Sequence, residues 1–234
     1  MRERLVAITG ASGNLGHATA SLLLDGGASA LLFDRSANHA AKFKDAVDSG
    51  RGWFYAVDLT SEAETRAALA DGVAKSGKKL EGLVCTVGGY RGGAPLETSG
   101  WDDWDAMWSI NVRTTVTCVR AALPMMLEHG RGSIVLVASL AGLSGGAGEA
   151  AYSACKAAVL RLTESLAAEV KGRGVRVNAI MPGTLDTPQN RAWMSPEQIA
   201  TAIEPRAVGD VIAFLLSDAS RAMTGAALKV SGRQ

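Results

Sequence analysis

Tyr152 and Lys156 stand four positions apart in an Ala-rich, apolar stretch, a spacing that brings both side chains to one face of a helix. A phenol whose ordinary pKa is near 10 must come down to about 7 or 8, at about 3 to 4 kcal/mol, to pass a proton near neutrality. One ammonium about 4 Å away at an effective dielectric near 20 supplies about 4 kcal/mol. The pair therefore reads as a general acid/base with its electrostatic support, although the same spacing also makes ordinary surface contacts. Ser139 shifts the balance. It follows the apolar run 134–138, and open α/β sheets gather ligands at the carboxyl ends of their strands, where a hydroxyl can hold a substrate oxygen as charge develops.

A second constellation lies near the start of the chain. Thr9-Gly10-Ala11-Ser12-Gly13-Asn14-Leu15-Gly16 follows an apolar run and precedes a helical pattern. Glycines there permit a tight strand-to-helix turn and let a pyrophosphate approach backbone amides at a helix N-terminus. Gly10, Ser12, Gly13, Asn14, Leu15 and Gly16 are thus candidate dinucleotide contacts, the plain alternative being a tight turn. Asp34 lies 18 positions after Gly16, about where an acid that accepts from an adenosine ribose is expected; it would also serve as a helix cap. Its carboxylate would repel a 2′-phosphate of up to about two negative charges, and Arg35 could offset that. NAD(H) is favoured, with NADP(H) possible.

These groups need a scaffold. Short apolar runs at 5–9, 29–33, 53–57, 80–86, 133–138, 175–181 and 227–230 alternate with helical patterns near 14–26, 37–48, 61–76, 101–129, 151–172 and 206–217. Such alternation predicts one α/β domain over 1–234, a doubly wound, Rossmann-like seven-stranded parallel sheet with helices on both faces. Residues 182–205 carry dense Pro and polar punctuation, and 184–205 is a candidate substrate lid. In it Trp193 and Met194 are candidate substrate walls. Trp101, Trp104 and Trp108 share one helical face and suit packing or subunit contact better than chemistry.

Composition excludes several classes. The 24 basic and 23 acidic residues are interspersed, which gives no footprint for nucleic acid or anionic lipid, so the expected partner is a small molecule. Three separated cysteines, Cys85, Cys118 and Cys155, suit a reducing, cytoplasmic setting. The three histidines lack metal-ligand spacing, so no metal is expected. The segment MRERLVAITG fits neither a signal peptide nor a membrane span.

With Ser139 and Tyr152-x-x-x-Lys156, the sequence also carries Asn111 in Ser-Ile-Asn-Val, Val57-Asp58-Leu59 and Asn178-Ala-Ile-Met-Pro182-Gly183. Together these resemble the short-chain dehydrogenase/reductase family along essentially the whole chain. The resemblance implies an NAD(P)-dependent oxidoreductase that moves hydride between nicotinamide and a small carbonyl or alcohol. It implies catalytic roles for Asn111, Ser139, Tyr152 and Lys156, with Asn111 supporting a water relay and Lys156 also binding the nicotinamide ribose. It further implies cofactor contacts at Asp58, Leu59, Val87, Gly88, Pro182, Gly183, Leu185 and Thr187, and a homotetramer or homodimer packed through 101–129 and 151–172.

Two departures stand out. The glycines follow TGxxGxxG rather than the usual TGxxxGxG, with Asn14 where the middle glycine is expected, and Cys85-Thr86-Val87-Gly88 replaces the usual Asn-Asn-Ala-Gly. Cys85 reads as a small buried hydrophobe. The stretches 85–93 and 184–194 also resemble quinonoid dihydropteridine reductase, an NADH-using branch, which makes a pterin an alternative substrate; that branch lacks the serine, whereas Ser139 is present here. A non-catalytic dinucleotide sensor, motivated by the two departures, is a further alternative.

Overall fold

The protein, described here as a computed structural model covering residues 1–232, is built on one seven-stranded parallel sheet of order β3-β2-β1-β4-β5-β6-β7. The strands are β1 (Leu5–Thr9), β2 (Ser29–Asp34), β3 (Gly52–Ala56), β4 (Leu80–Cys85), β5 (Gly132–Val137), β6 (Val175–Pro182) and β7 (Ala227–Val230). Every residue of β1 and β2 is buried, as continuous apolar strands under two helical layers must be. Successive side chains enter opposite layers: Leu83 and Ile134 pack with Val119 and Val159 on one side, Val84 and Val135 with Ile212 and Leu215 on the other.

The helices are α1 (Asn14–Asp25), α2 (Lys44–Asp48), α3 (Glu62–Ser76), α4 (Trp101–Trp108), α5 (Thr114–Glu128), α6 (Ala150–Glu169), α7 (Pro188–Arg191), α8 (Pro196–Thr201) and α9 (Pro205–Leu216). Helices α1 and α9 cover one face, and α3, α5 and α6 the other. The strand order reverses between β1 and β4, the place where open α/β sheets form a ligand crevice at the carboxyl ends of their strands.

Strand limits differ from the sequence expectation by one residue at most. Two helical expectations and the expected lid differ more. Segment 37–48 is a 3₁₀ turn over Ala37–Phe43 followed by the short α2. The long helix expected over 101–129 is interrupted by a wide, π-type turn at Ser109–Arg113, a device that accommodates one extra residue and frequents functional sites. The hydroxyls of Thr114 and Thr115 donate to the carbonyls of Ile110 and Asn111, at 2.7 and 2.9 Å, and satisfy acceptors in that turn. The candidate lid 184–205 contains two short helices, α7 and α8, each with a Thr or Ser N-cap and a following proline.

Candidate active site

The wide turn aims Asn111 inward. Its Nδ2 donates to the carbonyls of Met107 and Gly89, both at 3.0 Å, and its Oδ1 accepts from the Gly89 amide at 3.2 Å. This clamp holds the loop leaving β4 against the start of α5. A Cβ on Gly88 would lie 2.9 Å from Asn111 Oδ1 and 3.1 Å from Lys156 Nζ, so Asn111, Gly88 and Lys156 converge on one cradle that only glycine leaves open.

Lys156 is almost wholly buried. Its ammonium donates to the Val137 carbonyl at 3.1 Å, at the end of β5, and lies 5.7 Å from the centre of the Tyr152 ring. Tyr152, one turn earlier on α6, lies close enough to Ser139, just beyond β5, for that hydroxyl to pull its pKa down. The three groups predicted to do chemistry therefore meet at the carboxyl ends of β4 and β5, at the mouth of the crevice.

The electrostatics differ from the expectation. Burial pushes the Tyr152 phenol up, the Ser139 hydrogen bond pulls it down, and the Glu149 and Tyr90 charges push it up again. Burial likewise brings the Lys156 ammonium down to about 8. Desolvation penalises both charged forms, and the ammonium's field weakens as it approaches neutrality. Burial outweighs the Ser139 contact, and the phenol sits above its ordinary value.

On the other side of the crevice, Gly10 turns with φ +60°, and a Cβ on Gly16 would lie 2.1 Å from the Gly10 carbonyl oxygen. The first residue needs the left-handed region and the second needs the close approach of helix to loop. In place of the expected asparagines, Thr86 Oγ1 donates to the Thr9 carbonyl at 2.5 Å, while Thr9 Oγ1 accepts from the Thr86 amide at 3.1 Å. This threonine brace ties β1 to β4 beneath the crevice, and sequence reasoning missed it because the partners lie 77 positions apart.

The remaining predicted residues separate into groups. Ser12 and Asp34 meet: the Ser12 hydroxyl and amide both donate to the Asp34 carboxylate, the amide at 3.2 Å. Burial would raise the Asp34 pKa, but hydrogen bonds from Ser12, His39 and backbone amides outweigh it and hold the carboxyl at about 2. Asp34 also accepts from the Arg35 amide at 2.8 Å. Asn14 Nδ2 donates to Gln189 Oε1 on α7 at 2.9 Å, so this residue joins the glycine loop to segment 184–205. Asp58 is exposed and accepts from Thr60, while Ser61 caps α3. Thr187 caps α7 through Asn190, Leu185 bridges to Ile203, and the Gly183 amide, just past Pro182, donates to Val230 at 3.0 Å. The side chains of Leu15 and Leu59 are committed to the core, which leaves their backbones for any cofactor contact, and Val87 packs over Gly10.

Tyr90 and Glu149 also escaped sequence reasoning. The Tyr90 ring stands edge-on to Tyr152 with centroids 5.1 Å apart, and burial and the neighbouring Glu149 carboxylate push its phenol up. Beyond it a cavity of about 320 Å³ is lined by Tyr90, Arg91, Ser99, Asp103 and Ala151. Met194 is buried and Trp193 exposed; Trp101 and Trp108 are also exposed, with Trp101 79% accessible. The thiols of Cys85 and Cys118 are buried beside one another. Among the described residues no helix is long and apolar enough to cross a membrane.

A model of the family described as short chain dehydrogenase matches residues 4–198. The chain belongs to the short-chain dehydrogenase family. Short-chain dehydrogenases resembling it over nearly their full length include cis-4-hydroxycyclohexanecarboxylate dehydrogenase of Sinomonas cyclohexanicum, 36% identical over 239 residues, which cover 98% of this chain and 96% of that one. Among solved structures, NAD+-bound xylitol dehydrogenase superposes with a TM-score of 0.87 at 29% identity, covering 99% of this chain and 98% of that one. ElxO with NADP bound gives 0.91 at 26% identity and 98% of both chains. As a member of this family the protein is an NAD(P)-dependent oxidoreductase.

Proposed function

We propose that the protein oxidises a small secondary alcohol, or reduces the corresponding ketone, with Tyr152 as the proton-transfer group and NAD(H) as the preferred cofactor. The observation that carries this reading is the convergence of Ser139, Tyr152 and Lys156 beside the Gly88 cradle. The crevice suits a dinucleotide: Gly10 and Gly16 leave backbone room for a pyrophosphate, Asp34 offers acceptors to a ribose diol, and Gly88 leaves a cradle beside Lys156. Arg35, Asp58, Val87 and the backbone of 182–187 would complete the cofactor's surroundings. The nicotinamide, when bound, accepts or supplies the hydride.

The chain's own groups do the rest. The Ser139 hydroxyl, which neighbours Tyr152, orients the substrate oxygen toward the phenol. Tyr152 takes or gives the proton on that oxygen, Lys156 supports the phenolate electrostatically, and Asn111 fixes the cradle. The buried Lys156 and half-buried Tyr152 limit the access of bulk water, which strengthens each charge interaction. Segment 184–205, tied to the glycine loop through Asn14 and Gln189, serves as the lid.

The alcohol reading draws support from the relatives whose names specify a hydroxylated carboxylate and a polyol, and from Ser139. Initial rates with both dinucleotides against cyclic secondary alcohols, vicinal diols, their ketones and a quinonoid dihydropterin test it. Turnover of an alcohol or ketone that Tyr152→Phe abolishes supports the reading, a preference for the pterin moves it to the alternative branch, and cofactor binding without turnover establishes a sensor. The exposed Trp101 and Trp108 on α4 support a homodimer or homotetramer, which light scattering tests, and the three free cysteines suit a cytoplasmic setting.

A further inference from the structure

His39, in the 3₁₀ turn after β2, has no part in the hydride-transfer reading, yet it is built into the Asp34 cluster. Its Nδ1 lies 2.9 Å from Asp34 Oδ1 and 2.8 Å from Ser12 Oγ. The partners assign the tautomer. Asp34, ionised, only accepts, and the Ser12 hydroxyl proton is already given to Asp34 Oδ2, so the hydrogen between His39 and Asp34 sits on Nδ1. Nε2 then carries the open lone pair, and the next proton goes there.

The surrounding charges are close to balance. Arg35 follows Asp34, and Lys42 on the same 3₁₀ turn donates to the Ser12 carbonyl at 2.8 Å. Asp58, from the loop after β3, feels Arg35. Glu204 and Arg206, at the start of α9, line a hollow shared with Ser12, Lys42 and His17. His17, on α1, is held toward neutrality by burial and by Lys42. Asp34, Asp58 and Glu204 stand against Arg35, Lys42 and Arg206 in this region, so one added charge on His39 tips the sum toward positive.

We propose that His39 determines the choice between NAD(H) and NADP(H) and makes that choice depend on pH. With the ring neutral, Asp34 faces the adenosine ribose as an acceptor and disfavours a 2′-phosphate. With the ring protonated, His39 joins Arg35 and Lys42 in a cationic shell that offsets Asp34 and admits the phosphate. Histidine is the side chain that gains charge as pH falls from about 8 to 5. The inference rests on the adenosine end of the cofactor lying at Asp34.

The test is equilibrium binding of NAD+ and NADP+ by calorimetry at pH 8 and pH 5.5, for the wild-type protein, His39→Gln, His39→Lys and Asp34→Asn. His39→Gln carries the phosphate's own titration and serves as the baseline. Relative to it, the wild-type preference is expected to move about tenfold toward NADP+ at the lower pH, the scale of one added charge beside a phosphate after solvent screening. Relative to the same baseline, His39→Lys should favour NADP+ equally at both values. A wild-type shift equal to that of His39→Gln overturns the proposal while leaving the cofactor site in place. An Asp34→Asn protein with unchanged preference at pH 8 overturns the siting of the cofactor as well.

Discussion

Replacing Lys156 with methionine should damage the enzyme and stabilise the fold. The ammonium is almost wholly buried and held at about 8, against an ordinary value of 10.5. A lysine whose pKa is lowered on folding binds its proton more weakly in the native state, so the unfolded chain binds more protons between about 8 and 10.5, and stability rises with pH across that window. At pH 7 the whole penalty is present, about 3 kcal/mol from the gap between the two values. Methionine fills similar volume without the charge but leaves the Val137 carbonyl without its donor, which returns about 1 kcal/mol. The net gain is about 2 kcal/mol, or about 4 to 8 °C in Tm for a chain of this size. Activity should move the other way. Nζ lies 5.7 Å from the ring centre, and a full charge about 6 Å from a phenolate at an effective dielectric near 20 is worth about 3 kcal/mol, about a hundredfold in rate. Thermal melts of both proteins at pH 7 and pH 9.5 without dinucleotide, with initial rates at pH 7, check both halves. A less stable variant at pH 7, a Tm difference that does not shrink at pH 9.5, or a rate within threefold of wild type would refute the reasoning.

Further outcomes follow from single contacts. Gly16→Ala drives a methyl into the Gly10 carbonyl at 2.1 Å; isothermal titration should show dinucleotide affinity down more than about tenfold, with about 1 to 3 kcal/mol of stability lost to overpacking. Ser139→Ala should leave Tm within a degree or two and lower kcat by about a hundredfold, measured on whichever substrate the panel identifies. Asn14→Gly cuts the contact to Gln189 and should raise the dinucleotide dissociation rate in stopped-flow fluorescence while sparing the fold.

Much of this was legible in the sequence because it depends on local pattern. Buried parallel strands read as apolar runs, and the Tyr152-Lys156 spacing forces a shared helical face. What escaped depends on geometry between distant segments. The Thr9–Thr86 brace joins two strands, His39 reaches Asp34 only because the 3₁₀ turn folds back, and one extra residue at Ser109–Arg113 barely disturbs helical periodicity. The helices of 184–205 did have a local signal: Thr187-Pro188 and Ser195-Pro196 are caps followed by proline, and Gln198 completes a capping box with Ser195. Dense punctuation there concealed two starts. The electrostatic expectation erred for a different reason, since pair arithmetic on a phenol and an ammonium omitted the burial both share.

The threonine brace bears on how such an enzyme can be retuned. Because short hydroxyl side chains bolt the floor of the cleft together, that floor has little freedom to widen for a bulkier guest. Room must instead be made at the rim, around 90–94, 148–151 and 184–205. Grafting those three segments from another scaffold would redirect substrate choice while the platform beneath keeps its grip on the nucleotide.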